Sequence, residues 1–381
     1  MKIAYITVLP AYSVGIAKKI KEKADIAKKL GLDIDFYYIN PDKHEENNNA
    51  NFFLLKKSYF KKNNSTNKIL FKVNAFKNIE KMIFLNKYDY LILRYPLVDS
   101  RFLAFIRKYG YKIISEHHTN EVAELFSTSR FVDKIRAYNE LLFSKKYLSN
   151  VKGIIGVTNE ITKLEVEKSG KKDIPNITIS NGINTENIKF TQFKKFNGKV
   201  LDIIFVASYF YPWHGLDIVL TKLKKYNGNI KINLHLIGDV SDKDNNIINS
   251  INKSNVEIIL HGKLYGKDLD DLFAISTIAI STIAISTKKM EEACPLKTRE
   301  YIARGIPFIY GYKDTDLNGS EKFALKIDKD NFDIDQIIDF AKRVSNEKEL
   351  SLDMRKFAKQ KLDLSVKIKK MYNFAKEIAN A

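Results

Sequence analysis

The chain is poor in cysteine, tryptophan, proline and arginine, and each shortage narrows its chemistry. The single cysteine, Cys294, excludes an intrachain disulfide framework and clusters of metal-bound thiolates, which suits a reducing compartment. With only 6 histidines besides, and no third ligand following His117 and His118 at metal spacing, a zinc site is not expected. Hydrophobic runs are short as well: the uncharged stretch 273–287 falls below the roughly 20 apolar residues of a membrane span. Met1 leads straight into a strand pattern, so no signal peptide is expected. Acidic residues are outnumbered, 45 against 64 basic ones, giving a formal charge of +19. Such a field favours nucleic acid, acidic lipid headgroups or a phosphorylated substrate. Only 9 of the basic residues are arginine, and asparagine and isoleucine abound, so compositional bias accounts for part of the lysine excess. The lysines are dispersed and no nucleic-acid-binding motif accompanies them, which argues against a nucleic-acid binder.

At 381 residues the chain exceeds what one core supports, so two domains are expected. Residues 2–8 read as a buried parallel strand, 9–15 as a loop, 16–30 as a helix ended by Gly31, and 32–39 as a second strand. This is the opening unit of a doubly wound sheet, whose ligands lie beyond the strands' carboxyl ends. Gly15 either admits a ligand phosphate or is an ordinary helix-start glycine. Residues 41–80, rich in Asn and Lys, read as a long insertion with a short helix near 76–84. Strands follow at 90–96 and 111–115, and the second delivers Glu116-His117-His118-Thr119-Asn120-Glu121, the densest polar group of the N-terminal half.

Residues 194–200 are polar enough for a linker, and 202–207 start a second doubly wound unit. Its first loop, Ser208-Tyr-Phe-Tyr-Pro-Trp-His-Gly215, holds the only tryptophan, Trp213, which either stacks on a ligand or packs. Residues 274–287 repeat Ala-Ile-Ser-Thr-Ile with period five, which suits neither helix nor strand; part of it reads as the strand leading to Glu292, with residues to spare. Asp33-x-Asp35, Asp314-x-Asp316 and Asp333-x-Asp335 each match a metal-binding D-x-D, so the pattern is cheap in this chain. The end, 352–381, is helical, with Lys359, Lys361, Lys367, Lys369 and Lys370 on a basic face.

The most informative stretch is Glu292-Ala-Cys-Pro-Leu-Lys-Thr-Arg-Glu300-Tyr-Ile-Ala-Arg-Gly-Ile-Pro-Phe-Ile309. Pro295 suits a helix start and Gly305 its end, with a strand over 306–310. Leu296, Glu300 and Ala303 fall at i, i+4 and i+7 on the face expected to turn inward. A buried carboxylate there requires a cation or ligand hydroxyls, and Lys297 is the nearest cation. A lysine in a first turn opposes the helix dipole, which an anion bound at the N-terminus would explain.

Glu292-x7-Glu300, followed by Tyr301, Gly305 and Pro307, resembles the donor-site motif of family 4 retaining glycosyltransferases. The resemblance implies the GT-B fold: two Rossmann-like α/β domains, an acceptor-binding one over 1–196 and a nucleotide-sugar-binding one over 197–360, with 361–381 crossing back to the first. It also implies transfer with retention from a UDP- or GDP-linked sugar to a glycan or lipid-linked acceptor in bacterial surface polysaccharide synthesis. No cofactor and no metal are implied, because the helix dipole and cations neutralise the diphosphate. Residue by residue, it places Glu300 on the ribose, Glu292 by the donor sugar, and Leu296, Lys297 and Thr298 at the diphosphate. Ser208, Trp213, His214, Gly215 and Gly15 line the same donor. His214 stands where the family usually has lysine, shifting charge neutralisation toward Lys297. Glu116-x-His118 matches a segment whose histidine faces the donor sugar, with His117 as the fallback; Glu116, Asn120 and Glu121 fall on the acceptor side. An anionic membrane surface at the inner face of the cytoplasmic membrane is the expected place of work. Two alternatives remain: a nucleotide-sugar epimerase of the same fold, and a basic nucleic-acid binder.

Overall fold

Buried runs of β-branched and aromatic residues, alternating with amphipathic helices, build two parallel sheets. The structure, a computed structural model, describes residues 1–9, 13–40, 52–55, 75–77, 79–81, 87–128 and 130–380. It divides into two compact units, 1–180 with 364–381, and 181–363.

The first unit holds seven parallel strands in the order β3-β2-β1-β4-β5-β6-β7. These are β1 Ile3–Val8, β2 Ile34–Ile39, β3 Phe52–Leu55, β4 Tyr90–Arg94, β5 Ile113–His117, β6 Gly153–Gly156 and β7 Asn176–Thr178. Every residue of β1 is buried, as a strand covered on both faces requires. The first helix starts at Val14, two residues before the sequence pattern placed it, because the Ser13 side chain accepts from the Ile16 amide. Gly15 therefore lies in its first turn, with open space where a Cβ would be. Of the expected insertion over 41–80 only β3 and a helical segment about Phe76 fall among the described residues.

The helix from Leu364 closes one face of this sheet with Leu364, Ile368, Met371, Ala375 and Ile378, a stripe at spacings of three and four. It lies so close that a Cβ on Gly153 would meet Ile378 Cδ1 at 2.8 Å. Lys367, expected on a solvated basic face, is buried instead and donates to Ser180 Oγ at 2.6 Å. Its long stem packs with the apolar stripe while the amine finds that hydroxyl.

The second unit holds six parallel strands in the order β10-β9-β8-β11-β13-β15, plus a two-stranded ribbon of β12 with β14. They are β8 Val200–Tyr209, β9 Lys231–Asp239, β10 Val256–Leu260, β11 Ile278–Ile280, β12 Glu292–Ala293, β13 Phe308–Tyr310, β14 Lys313–Asp314 and β15 Ala324–Lys326. The segment read as a linker belongs to this unit: the Lys194 amide bonds Ser276 O at 3.0 Å and the Phe196 amide bonds Ser345 Oγ at 2.8 Å.

The pentad repeat has no residues to spare. One copy ends the helix Gly266–Ile275, the next forms β11, and the third becomes the 3-10 turn Ile285–Lys288. Residues 276–285 are all buried. Each copy meets a different neighbour, so tertiary contacts override one local sequence.

Candidate donor site

In the second unit the strand order reverses between β8 and β11, the place where a doubly wound sheet receives its ligand. The loop leaving β8 carries the 3-10 turn Pro212–His214 and then Gly215 at φ +77°. A Cβ on Gly215 would come within 2.4 Å of Ile283 Cγ1, so glycine lets the loop lie against the repeat. Two backbone bonds of 3.2 Å fix it there, Ile283 N to His214 O and Ala284 N to Trp213 O.

The chain leaving β11 supplies the other wall. Pro295 opens the helix Leu296–Arg304, and Gly305 at φ +87° closes it, as the sequence pattern predicts. Which face turns inward differs from that pattern. Leu296 is 46 % exposed, while Thr298, Arg299, Tyr301 and Ile302 are buried. Polar residues take the core face because partners await them. Thr298 Oγ1 lies 2.6 Å from both Ser281 Oγ and Tyr312 Oη, so its hydroxyl is committed to the scaffold.

Arg299 is the largest fully buried side chain described, and sequence reasoning missed its role. It holds Asp314 through both terminal nitrogens, reaches Asp316 at 2.6 Å, and donates from Nε to Asn181 O at 3.2 Å. The Asp314-x-Asp316 pattern is thereby explained as the counter-charge of an arginine.

Glu300 is half-buried, and its partner is Arg304 rather than Lys297. Arg304 donates to Glu300 Oε1 from Nε at 2.9 Å and from NH2 at 2.8 Å. The same guanidinium reaches Asp270 at 2.6 Å and lies over the Phe273 ring at 4.4 Å. Glu292 is buried in β12, with Lys313 Nζ 3.2 Å from it.

Lys297 is left without such a partner. Its buried amine has no hydrogen bond among the described residues and lies 5.0 Å from the centre of the Phe205 ring. Burial pushes its pKa down to about 7. His214 shares this environment: burial, then Lys297 and Lys288, push the imidazole down to about 3, so it is neutral at pH 7. Lys288, which directly follows the repeat, is a second cation at the loop, and its sequence gave no warning of it. It sits 3.9 Å from the centre of the Trp213 ring, while Tyr211 stacks on Trp213 at 4.4 Å and 9°. Trp213 is thus packed by both groups within its own loop region. Ser208 lies exposed at the end of β8. Two lysines, a neutral histidine and a helix N-terminus thus converge on the carboxyl end of the sheet, an arrangement suited to a polyanion.

In the first unit, β5 ends in a buried charge network. Glu116 accepts from Tyr5 Oη at 2.5 Å, with Lys23 Nζ at 3.6 Å and His118 Nε2 at 3.0 Å. Burial alone would raise its pKa, but Lys23 and His118 hold it well below the usual carboxylate range. For His118 the balance of causes is reversed: burial outweighs Glu116 and takes it down to about 4, leaving a neutral ring at pH 7. Asn120 caps the helix Glu121–Ser127 by accepting from the Ala123 amide at 3.1 Å.

His117 stacks on Tyr95 at 4.6 Å and points Nδ1 at Glu165 and Glu121, 3.5 and 3.7 Å away. These three residues form a donor set of the kind that can hold a metal. Local spacing could not find it, because Glu165 arrives on the helix Asn159–Ser169. The two carboxylates also bear on the ring's own charge. Burial opposes protonation, but Glu165 and Glu121 outweigh it and raise the pKa, while Lys168 approaches Glu165 at 2.6 Å.

Together the two sheets and their helices give the two-domain α/β GT-B fold. No protein-family profile matches the chain, and no curated protein sequence does. Solved structures do match in fold over nearly the whole length. A sucrose-phosphate synthase from Thermosynechococcus elongatus has a TM-score of 0.68 at 13 % identity, covering 100 % of this chain and 99 % of that one. The lipopolysaccharide outer core galactosyltransferase WaaB has a TM-score of 0.61 at 14 % identity, covering 99 % of this chain and 100 % of its own. Anabaena HepE, solved with UDP-glucose, has a TM-score of 0.60 at 12 % identity and coverage of 100 % for both chains.

Proposed function

We propose that this protein is a retaining, metal-independent glycosyltransferase that moves a sugar from a UDP- or GDP-linked donor to a glycan or polyprenyl-diphosphate-linked acceptor in bacterial surface polysaccharide synthesis. The observation that carries this reading is Lys297: a buried ammonium with no counter-ion among the described residues, one residue into a helix whose N-terminus lies at a switch point. Leaving a cation so placed is unfavourable unless an anion completes it. A diphosphate has the charge, and the amides of the first turn have the donors. Support comes from the company the fold keeps, which includes WaaB, HepE with UDP-glucose and a TarM variant solved with UDP and α-GlcNAc-glycerol.

In this reading Lys297 and Lys288 neutralise the diphosphate, the helix N-terminus binds it through N–H groups, and Glu300 receives the ribose hydroxyls. Departure of the sugar leaves negative charge on the β-phosphate, and these groups stabilise it more as it grows, which is how the protein lowers the barrier. Glu292 lies on the sugar side. Retention follows from attack on the face the phosphate leaves, with the phosphate taking the acceptor's proton. The family resemblance assigns His118, a neutral ring 3.0 Å from Glu116, to the transferred sugar. The acceptor side is Glu116, His117, Asn120 and Glu121, the place of work is an anionic membrane surface, and nucleic acid is not a partner.

Thermal shift against UDP, GDP and their sugar conjugates tests the donor, with Lys297→Met as control. Stabilisation by one nucleotide series, lost in the variant, is expected. Stabilisation undiminished in Lys297→Met would overturn the assignment. Turnover of a UDP-sugar with no acceptor would make the protein an epimerase instead.

A further inference from the structure

The helix Phe131–Leu148 of the first unit has two apolar faces. The inner one packs Ala137, Tyr147 and Leu148 against the sheet. Both of the helix's carboxylates are buried on this side too. Glu140 accepts from Tyr95 Oη and the Val98 amide, each at 2.5 Å, and Asp133 accepts from Thr128 Oγ1 at 3.1 Å and Arg136 at 3.0 Å.

The outer face should be polar and is not. Phe131, Ile135, Tyr138 and Leu142 recur at i, i+4, i+7 and i+11, which at 100° per residue confines them to an arc of about 60°. Phe131 is 75 % exposed and Leu142 68 %. Val132 and Leu141 widen the stripe, and Phe126 extends it by packing its ring edge-on to Tyr138 at 5.4 Å. An exposed apolar stripe of this length marks a docking surface.

The charges select the occupant. With Asp133 and Glu140 turned inward, the exposed charged residues of this helix and its cap are Arg130, Lys134, Arg136, Lys145 and Lys146, all cationic. A second copy seated on the stripe would bring these cations against their own counterparts, a repulsive arrangement. An anionic lipid surface supplies both complements at once, headgroups for the lysines and acyl chains for the stripe.

We propose that this helix lies in the plane of an anionic membrane surface with Phe131, Ile135, Tyr138 and Leu142 inserted below the headgroups. The inference rests on the membrane location given above and makes it a defined face. It also changes the expected chemistry, since adsorption through dispersed lysines is released by salt, whereas an inserted apolar stripe is not fully screened.

The test is co-sedimentation of the full chain with phosphatidylglycerol-containing and pure phosphatidylcholine vesicles, at low and high salt, for wild type and Ile135→Glu/Leu142→Glu. Circular dichroism confirms the variant's fold. We expect binding to the anionic vesicles that survives in part at high salt, and at least about a tenfold loss in the variant. The UDP thermal shift stays the same in both, so failure of the donor reading registers separately. Equal vesicle binding by variant and wild type would overturn the proposal. So would a dimer in sedimentation velocity that the double substitution dissociates without any vesicle binding by wild type.

Discussion

The Lys297 amine lies 5.0 Å from the centre of the Phe205 ring, an aromatic face that compensates in part for the water it has lost. A cation over a desolvated ring gains about 2 kcal/mol, less than the several kcal/mol that burial of an ammonium takes away. The site is therefore held in a state that an anion relieves.

That imbalance gives the empty protein a distinctive pH dependence. Lys297 has a folded pKa near 7 against 10.5 when free, so across this window the unfolded chain holds the extra proton. Stability from this site then rises with pH between about 7 and 10, by at most about 1.4 kcal/mol per unit. Lys297→Met should be more stable than wild type at pH 7 by up to about 4 kcal/mol, and the gap should close toward pH 10. Denaturant melts of both proteins across that range measure it; a gap independent of pH contradicts the assigned titration.

Binding a diphosphate should restore the proton. At pH 8, calorimetry of UDP binding in buffers of different ionisation enthalpy should show net proton uptake, abolished in Lys297→Met. Lys288→Met, which leaves the deeper amine in place, should keep the uptake while weakening affinity about tenfold.

Asp314 and Asp316 are held by Arg299, so chelation should leave transfer intact. Activity in excess EDTA is the measurement, and its loss with recovery on adding Mg²⁺ or Mn²⁺ would return these aspartates to a metal role. Asp314→Asn leaves a buried guanidinium partly unpaired and should cost about 3 kcal/mol in a denaturant melt.

Glu300→Gln tests the ribose contact. Arg304 keeps Asp270 at 2.6 Å, so the variant should fold with a melting temperature within a few degrees of wild type. Its affinity for UDP or GDP should fall about tenfold and transfer should be lost. Unchanged affinity in the folded variant would leave Glu300 a structural partner of Arg304 alone.

Periodicity, punctuation and the one motif stretch made the alternating architecture and the helix at Pro295 legible from sequence. What stayed hidden has a common cause. Arg299 finds Asp314 and Asp316 across a strand, Thr298 finds Ser281 and Tyr312, and Glu165 reaches His117 from a separate helix, so each polar residue is satisfied by distant sequence. A pattern that assigns apolar residues to the inside then points Leu296 inward, although it is exposed. Trp213 shows the same limit: it packs with Tyr211 and with Lys288, and the latter approaches from the turn that ends the repeat.

The pentad repeat sets a folding problem of its own. Ser276, Ser281 and Ser286 have the same neighbours in sequence, yet Ser281 must be the one that meets Thr298 and Tyr312. A slip of one pentad would preserve most of the repeat's local pattern while dragging Lys288 out of reach of Trp213. The information that prevents it lies at the ends, where Phe273 is fully buried beneath Arg304 and Met290 is buried just before β12. Register across this segment is thus fixed by its anchors and by Lys288, which a slip of one pentad would carry to the buried place of Ile283.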